Sequence, residues 1–465
     1  MFKMIFLSLL MCITSICTAE TADETAKLTF LLKNVSGNTA MPKSFYIPQG
    51  YWSSVGSIPD DEENSNERIL ATFGQNIYDA ATWQIALAMM GRTDIASQQT
   101  SRLLSGRSGM LENIRASSQD FAYGDDQLPM PKTNAFFFRM ISDEYLLTDP
   151  VTGKTVEWMD WKPVLGENAW AAMIGPLQVA YAKYEGKIPL HAEEVKLALS
   201  ILPAVTAMQS PIGGVYYAPW GVAGKNPHDI SSENNASLLA GLEMLKQVLV
   251  NGGDPRGIVT QKIDPLVQGI ERYFREYAIN EEEMVLHQGG CYDDPAALGE
   301  FIPSKDFAVD VQTWGLTVIG AEKIDSWFGE GAAYRIWKNT KARGGYYEKG
   351  ILKGVGYTDD PNAIISVEWT LGAILLVKEL YHHYGYPDLL EDAKTMREGI
   401  ESLRTTINID GEETVAYDYA SKRYYIPFGW WANKFPSLTS TAWVLMIDRD
   451  FNPFVLGGRS QVTSH

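Results

Sequence analysis

From about residue 68 onward, apolar positions recur at intervals of three and four. Leu238, Leu242, Leu245 and Leu249 form one such stripe, and Trp369, Ala373, Leu376 and Leu380 form another. A helix turns once in about 3.6 residues, so this spacing places each set on one helix face and predicts core positions. The helical runs come in pairs, with a run that is apolar nearly all round followed by one with a single apolar face: 192–208 after the second, 262–277 after the third and 387–403 after the fifth. Helices that can be buried on every side belong inside, and those with one apolar face belong outside, so the pattern predicts two nested helical layers. The fourth pair is the weakest, because Trp314 to Ile319 runs into Gly320 and its partner at 332–341 is short. Gly175-Pro176 and Pro203 predict kinks in the second pair, since proline lacks the backbone donor a helix interior uses. The starts are unevenly spaced, which makes this a structural repetition and not a fixed-period array.

The mouths of the all-round apolar runs share a second pattern. An acidic or amide residue stands there, usually with a tryptophan: Asn76-Ile-Tyr-Asp-Ala-Ala-Thr-Trp83, Glu167-Asn-Ala-Trp170, Ser231-Ser-Glu-Asn-Asn235, Asp310-Val-Gln-Thr-Trp314 and Glu368-Trp369, with hydroxyls replacing the acid in Ser437-Leu-Thr-Ser-Thr-Ala-Trp443. Carboxylates in a first helical turn cap free N–H groups and complement the helix dipole, which accounts for any one of them. Serine or threonine would cap as well, and capping has no use for tryptophan. If the starts converge, Glu167, Glu233, Asp310 and Glu368 gather as acid–base candidates, with Asp79 as an acceptor for sugar hydroxyls. Trp83, Trp170, Trp314, Trp369, Tyr292, Trp430 and Trp431 are then candidate walls, because a flat aromatic face packs against the C–H face of a pyranose. Most tryptophans in a large core are bulk, but adjacent Trp430 and Trp431 in a Gly- and Pro-bounded loop are hard to bury together.

The connections vary most. Segments 213–221, 344–350 and 415–426 read as short β-hairpins with aromatic faces, the type of loop a rigid scaffold presents at one rim. Residues 20–67 read as an extended or loop segment, with the acidic run 60–67 as a solvated surface loop, and 68–465 as one large domain. Residues 1–19 read as a secretory signal: Lys3, an apolar stretch too short for a comfortable membrane span, and Cys17-Thr-Ala19 as a small-residue cleavage site. Cleavage at that point leaves Cys291 alone, so the mature chain has no internal disulfide, and Cys291 reads as a buried structural thiol. The predicted location is secreted or periplasmic, with no membrane association after cleavage.

The formal charge of -18 at pH 7 argues against nucleic acid and anionic membrane surfaces, which require a basic face. It favours a neutral ligand unless a local basic cleft overrules the global balance. No zinc, nucleotide or serine-hydrolase motif is present, and no cofactor or metal is expected. The pairs Asp125-Asp126, Asp293-Asp294 and Asp359-Asp360 read as turn formers, with Ca²⁺ binding by such paired carboxylates as the alternative, although no EF-hand spacing is present.

On the Glu167-Asn-Ala-Trp, Ser232-Glu-Asn-Asn, Asp310-Val-Gln-Thr-Trp and Val367-Glu-Trp-Thr stretches, the chain resembles the six-hairpin glycosidase superfamily over about residues 70 to 450, with no particular family assigned. The resemblance implies an all-α fold, an (α/α)6 barrel or toroid of six helical hairpins with short β-hairpin loops at one rim. It also implies a glycoside hydrolase that uses paired carboxylates on a neutral oligo- or polysaccharide, with inversion. In that reading Glu167, with Trp170 a turn later lowering local polarity, is the general acid, and Asp310 or Glu368 holds the water. Two alternatives stay open. One is a polysaccharide lyase or sugar epimerase on the same toroid, resting on residues such as His287, Tyr292, Arg423 and Tyr424; the other is a non-catalytic glycan-binding or interaction protein.

Overall fold

The computed structural model describes residues 20–36, 41–54, 62–108, 120–292 and 299–458. The expected signal at 1–19 and the Asp293-Asp294 pair lie outside the described residues. About 49% of the chain is helical, and among the described residues no helix is long and apolar enough to cross a membrane.

Six inner helices carry the core: Ile77–Met89, a second made of Leu165–Ala169, Trp170–Ile174 and Gly175–Lys183, then Ser232–Asn251, Val309–Ile319, Val367–Tyr384 and Leu438–Asp448. Each packs on the next, and the sixth packs back on the first. The outer layer follows the predicted pairing, with Thr93–Ser108, Glu193–Ser200, Asp264–Glu276, Ala332–Gly344 and Pro387–Glu401 each against its inner partner. Proline acts where expected. A π-helical turn, Trp170–Ile174, precedes Gly175-Pro176 and accommodates the missing donor, and the second outer helix breaks at Ile201 and resumes at Leu202–Ala207 around Pro203.

The sixth inner helix takes its outer partner from the far end of the sequence. Ala22–Lys33 is a helix, opened by a capping box between Thr21 and Glu24, and it packs on Leu438–Asp448 and on the strand Glu412–Asp418. The extended or loop reading of 20–67 is therefore corrected for these residues. Leu28, Phe30 and Leu31 are buried against Trp83, Leu438 and Leu445, and that apolar face is what makes the segment helical. The acidic run is corrected likewise. Its last residues belong to the helix Glu62–Phe73, where Glu67 is 9% exposed.

Two of the three expected hairpin regions hold strands. Gly345–Glu348 pairs with Ile351–Val355 as expected. In the last region the pairing is shifted: Glu412–Asp418 pairs with Arg404–Ile409, and Tyr424–Ile426 pairs with Trp430–Ala432. Segment 213–221 is not a hairpin. It crosses as turns with two isolated bridges, Gln209 to Val215 and Ala122 to Trp220, and the side chain of Asn235 takes both the N–H and the C=O of Val215.

Candidate active site

The inner-helix starts divide their work among three kinds of residue. Hydroxyl or amide side chains do the capping: Asn76 accepts from Tyr78 N at 2.8 Å, Ser231 from Asn234 N at 3.3 Å, Ser366 from Trp369 N at 3.3 Å and Ser437 from Ser440 N at 3.2 Å. A second polar residue just inside the helix clamps the backbone of an incoming connection. Asn168 holds both peptide groups of Phe137, Asn235 those of Val215, Gln312 those of Leu286 and Thr370 those of Val355. The carboxylates are left over. Asp79, Glu233 and Glu368 stand on helices already capped by another side chain, so the capping explanation fails for them. The second and fourth helices, starting after Val164 and Ala308, have no side-chain cap, and there Asp310 Oδ1 accepts from Val311 N at 2.8 Å.

All five acids, Asp79, Glu167, Glu233, Asp310 and Glu368, line one cavity of about 880 Å³. Burial pushes each one upward. Glu368 rises to about 8, with Asp79 and Glu233 adding repulsion against the Tyr78 hydrogen bond. Glu233 also rises to about 8, from burial and Asp310. Asp310 and Asp79 each rise to about 7, from burial with Glu368 and Glu167 respectively adding to it. Glu167 is raised by burial, opposed by Arg139 and Lys225. The set is a group of mutually repelling carboxyls buried in one pit, which keeps protons available near neutrality.

Hydrogen bonds separate the two highest. Glu233 has both oxygens engaged, by Ser237 Oγ and Asn234 Nδ2, each at 2.7 Å. Glu368 receives one bond, from the Tyr78 hydroxyl at 2.6 Å, and that hydroxyl accepts from Trp443 Nε1 at 2.9 Å.

The tryptophans sort into three roles. Trp170, Trp314 and Trp443 pack with Phe454 and Tyr78 into an aromatic floor, with Trp314 stacked on Trp443 at 5.7 Å. Gly372 makes room for it, since a Cβ there would lie 2.3 Å from Trp314 Nε1. Trp369, Trp430 and Trp431 line the wall, with Trp369 stacked on Phe428 at 6.5 Å. Trp430 is 38% exposed. Trp83 is corrected: it does not line the cavity, and its Nε1 donates to Leu31 O in the packing of the N-terminal helix. The backbone of Tyr292 pairs with Phe301, while its side chain lies outside what the structure describes.

Several cavity residues carry no signal in the helical pattern. Tyr78 was visible only as a neighbour of Asp79. Arg139, Asp160, Lys162, Tyr217 and Lys225 arrive on the irregular connections flanking the second inner helix, where no periodicity singles them out. Cys291 is also at the cavity and only partly buried, not the fully buried thiol expected. Three of the four lyase candidates lie off the cavity lining. His287 and Tyr424 do not line the cavity, and Arg423 is bound by Glu67 and lies 3.5 Å over the Trp431 ring. Among the described residues no histidine reaches the cavity.

No family model matches the chain, and no curated protein matches it in sequence. Solved structures do. A sugar epimerase from a ruminal bacterium is similar at 12% identity over 92% of this chain and 97% of that one, with a TM-score of 0.53. The cellobiose 2-epimerase of Bacillus thermoamylovorans B4167 is similar at 9% identity, 92% and 97% coverage and a TM-score of 0.54. The unsaturated glucuronyl hydrolase of Bacillus sp. GL1 is similar at 11% identity, 94% and 98% coverage and a TM-score of 0.54. The fold is that of the six-hairpin glycosidase-like proteins. At these identities the likeness concerns the fold, and the six-hairpin scaffold explains why the inner-helix starts face one pit.

Proposed function

We propose that this six-hairpin protein is a glycoside hydrolase that cleaves a glycosidic bond of an oligo- or polysaccharide by acid–base catalysis, on a closed (α/α)6 toroid. The cyclic packing of the inner helices supports the toroid. The similar structures, sugar epimerases and a glucuronyl hydrolase, support chemistry on carbohydrate. The observation that carries the reading is the convergence of five carboxyls, three of them relieved of capping, in one tryptophan-walled cavity.

Hydrolysis requires a protonated donor and an ionised base on opposite sides of the bond, with room for water between them in the inverting case. Glu167 and Glu368 stand on the second and fifth inner helices, which are opposite members of a ring of six. Glu368, pushed up to about 8 and 5% exposed, holds its proton at neutral pH and has one oxygen free of the Tyr78 bond. Glu167 is also raised by burial, but Arg139 and Lys225 oppose that rise and favour its ionised form. We therefore assign Glu368 as the acid and Glu167 as the base, the reverse of the sequence expectation, with inversion as the outcome. Glu233, Asp310 and Asp79 bind sugar hydroxyls, and burial, with the repulsion of Asp79 and Glu233 added, keeps Glu368 protonated. Trp369, Trp430 and Trp431 stack on sugar rings. Export of the chain, argued from residues 1–19, belongs to the same proposal.

The lyase or epimerase reading rests on His287, Tyr292, Arg423 and Tyr424, and the position of His287, Arg423 and Tyr424 off the cavity lining counts against that set. A purely binding protein would keep costly up-shifted carboxyls to no purpose. Product analysis on a glycoside panel decides: released reducing ends, with the inverted anomer in early proton NMR spectra, are expected. An unsaturated product absorbing in the ultraviolet, or an epimerised sugar with no bond cleaved, would overturn the reading.

A further inference from the structure

One corner of the cavity carries three cations, of which the hydrolytic reading uses two, Arg139 and Lys225, only to favour the ionised form of Glu167. Arg139, Lys162 and Lys225 line the cavity beside Glu167, close enough that both other cations act on Lys225. Arg139 is already answered, giving Nε and Nη2 to Asp160 at 3.1 and 2.6 Å. The lysines differ. Among the described residues neither ammonium is paired with a carboxylate, and Lys225 lies 4.9 Å over the Tyr217 ring. Burial, then Arg139 and Lys162, pull Lys225 downward, and Asp229 and Glu167 do not make up the difference. Both lysines are partly buried, and a charge partly withdrawn from water gains from a counter-ion. In a chain of net charge -18 carboxylates are plentiful, so two cavity lysines without one mark a place for an anion from outside.

We propose that Lys162 and Lys225 bind an anionic substituent, a carboxylate or a sulfate ester, on the sugar occupying the cavity. This rests on the carbohydrate reading above and replaces the neutral substrate expected from net charge with one that carries an acid group. The chemistry of the pair suits either anion. An ammonium is a point charge with three rotatable donors, whereas the one guanidinium, which would select planar carboxylate by a fork, is committed to Asp160.

The test is titration calorimetry of the intact protein with methyl glucoside, methyl glucuronide and methyl glucoside 6-sulfate. The expected result is at least about tenfold tighter binding of one charged sugar than of the neutral one, a ratio that shrinks with added salt. The two charged arms tell carboxylate from sulfate. In the folded K162Q/K225Q variant the ratio falls to about one, and the double Lys→Arg variant retains a preference. Equal or tighter binding of the neutral sugar, binding of none of the three, or a preference that survives K162Q/K225Q would overturn the proposal. Charged-sugar preference without hydrolysis of any glycoside would remove the hydrolytic reading and leave this one standing. Hydrolysis indifferent to charge would do the reverse.

Discussion

Charge is buried in two regions of this molecule on opposite terms. Around the outside of the ring, two buried cations, Lys27 and Arg68, are answered by carboxylates. Lys27, 1% exposed, lies between Asp23 at 2.7 Å and Asp448 at 3.0 Å, and Arg68 and Asp149, both almost fully buried, pair at 2.7 Å. Burial works to raise Asp149 and Asp448, but Arg68 and backbone donors for the first, and Arg397 with Lys27 for the second, hold both below the ordinary carboxylate range. In the pit the same residue types go the other way, and four carboxyls rise to about 7 or 8. Burial alone does not separate the two regions. The pairing of acids with cations does: Asp79, Glu233, Asp310 and Glu368 have no cation among the causes acting on them, and the cations of the pit stand at the Glu167 corner.

The sharpest way to break this contrast is to remove the pit's acids. Glu368→Gln and Glu167→Gln should each lower turnover by about 10²–10⁴-fold while the circular dichroism spectrum is kept; turnover that survives both would end the catalytic assignment. With Glu368 as the acid, wild-type activity should decline as pH rises through about 8.

On the paired side, Arg68→Met leaves Asp149 buried without its cation. The expected cost is about 3–5 kcal/mol in denaturant unfolding, with little change in turnover at temperatures where the variant is folded. A loss under 1 kcal/mol would show that the pair is better solvated than its burial implies.

Stability against pH sharpens the same comparison. A carboxyl whose folded pKa is raised stabilises the fold fully below its unfolded value near 4, and that stabilisation is lost as pH rises through about 7 to 8. The melting temperature should therefore fall between pH 5 and 9, and Glu368→Gln should raise it by roughly 2–4 °C at pH 8. A variant less stable than wild type at that pH would mean that Glu368 is structurally needed. Asp149, held low, contributes in the opposite direction, and its share is lost only in acid.

The smallest effect belongs to the aromatic wall. Trp430→Ala should raise KM about fivefold, about 1 kcal/mol of stacking, with the melting temperature unchanged.

How much of this was legible depended on what each residue has to satisfy. The inner helices announce themselves because a segment buried on all sides is apolar on all sides. The N-terminal helix does not, because it buries only one narrow face, and Lys27 within that face looks like a surface residue; the Thr21–Glu24 capping box was the available signal. The polar mouths of the inner helices were visible as a mixture, but their division into caps, clamps and free acids was not, since Asn235 and Glu233 are interchangeable to a pattern and opposite in task. Trp83 and Trp170 keep similar company in sequence, yet one faces the N-terminal helix and the other the floor, a matter of helix rotation. The cations at the cavity came on loops without period, where only the assembled structure brings Arg139 and Lys225 to one corner.

The contact between Lys27 and Asp448 joins residues 421 positions apart. The helix Ala22–Lys33 thus depends on the helix Leu438–Asp448 and the strand Glu412–Asp418, which are made long after it. Contacts of such long separation form late and slowly. Until they form, Leu28, Phe30 and Leu31 have no core to enter, and Trp83 has no Leu31 carbonyl to meet. The ring thus carries its own check on completeness: a chain truncated before Asp448 lacks the surface that its beginning needs.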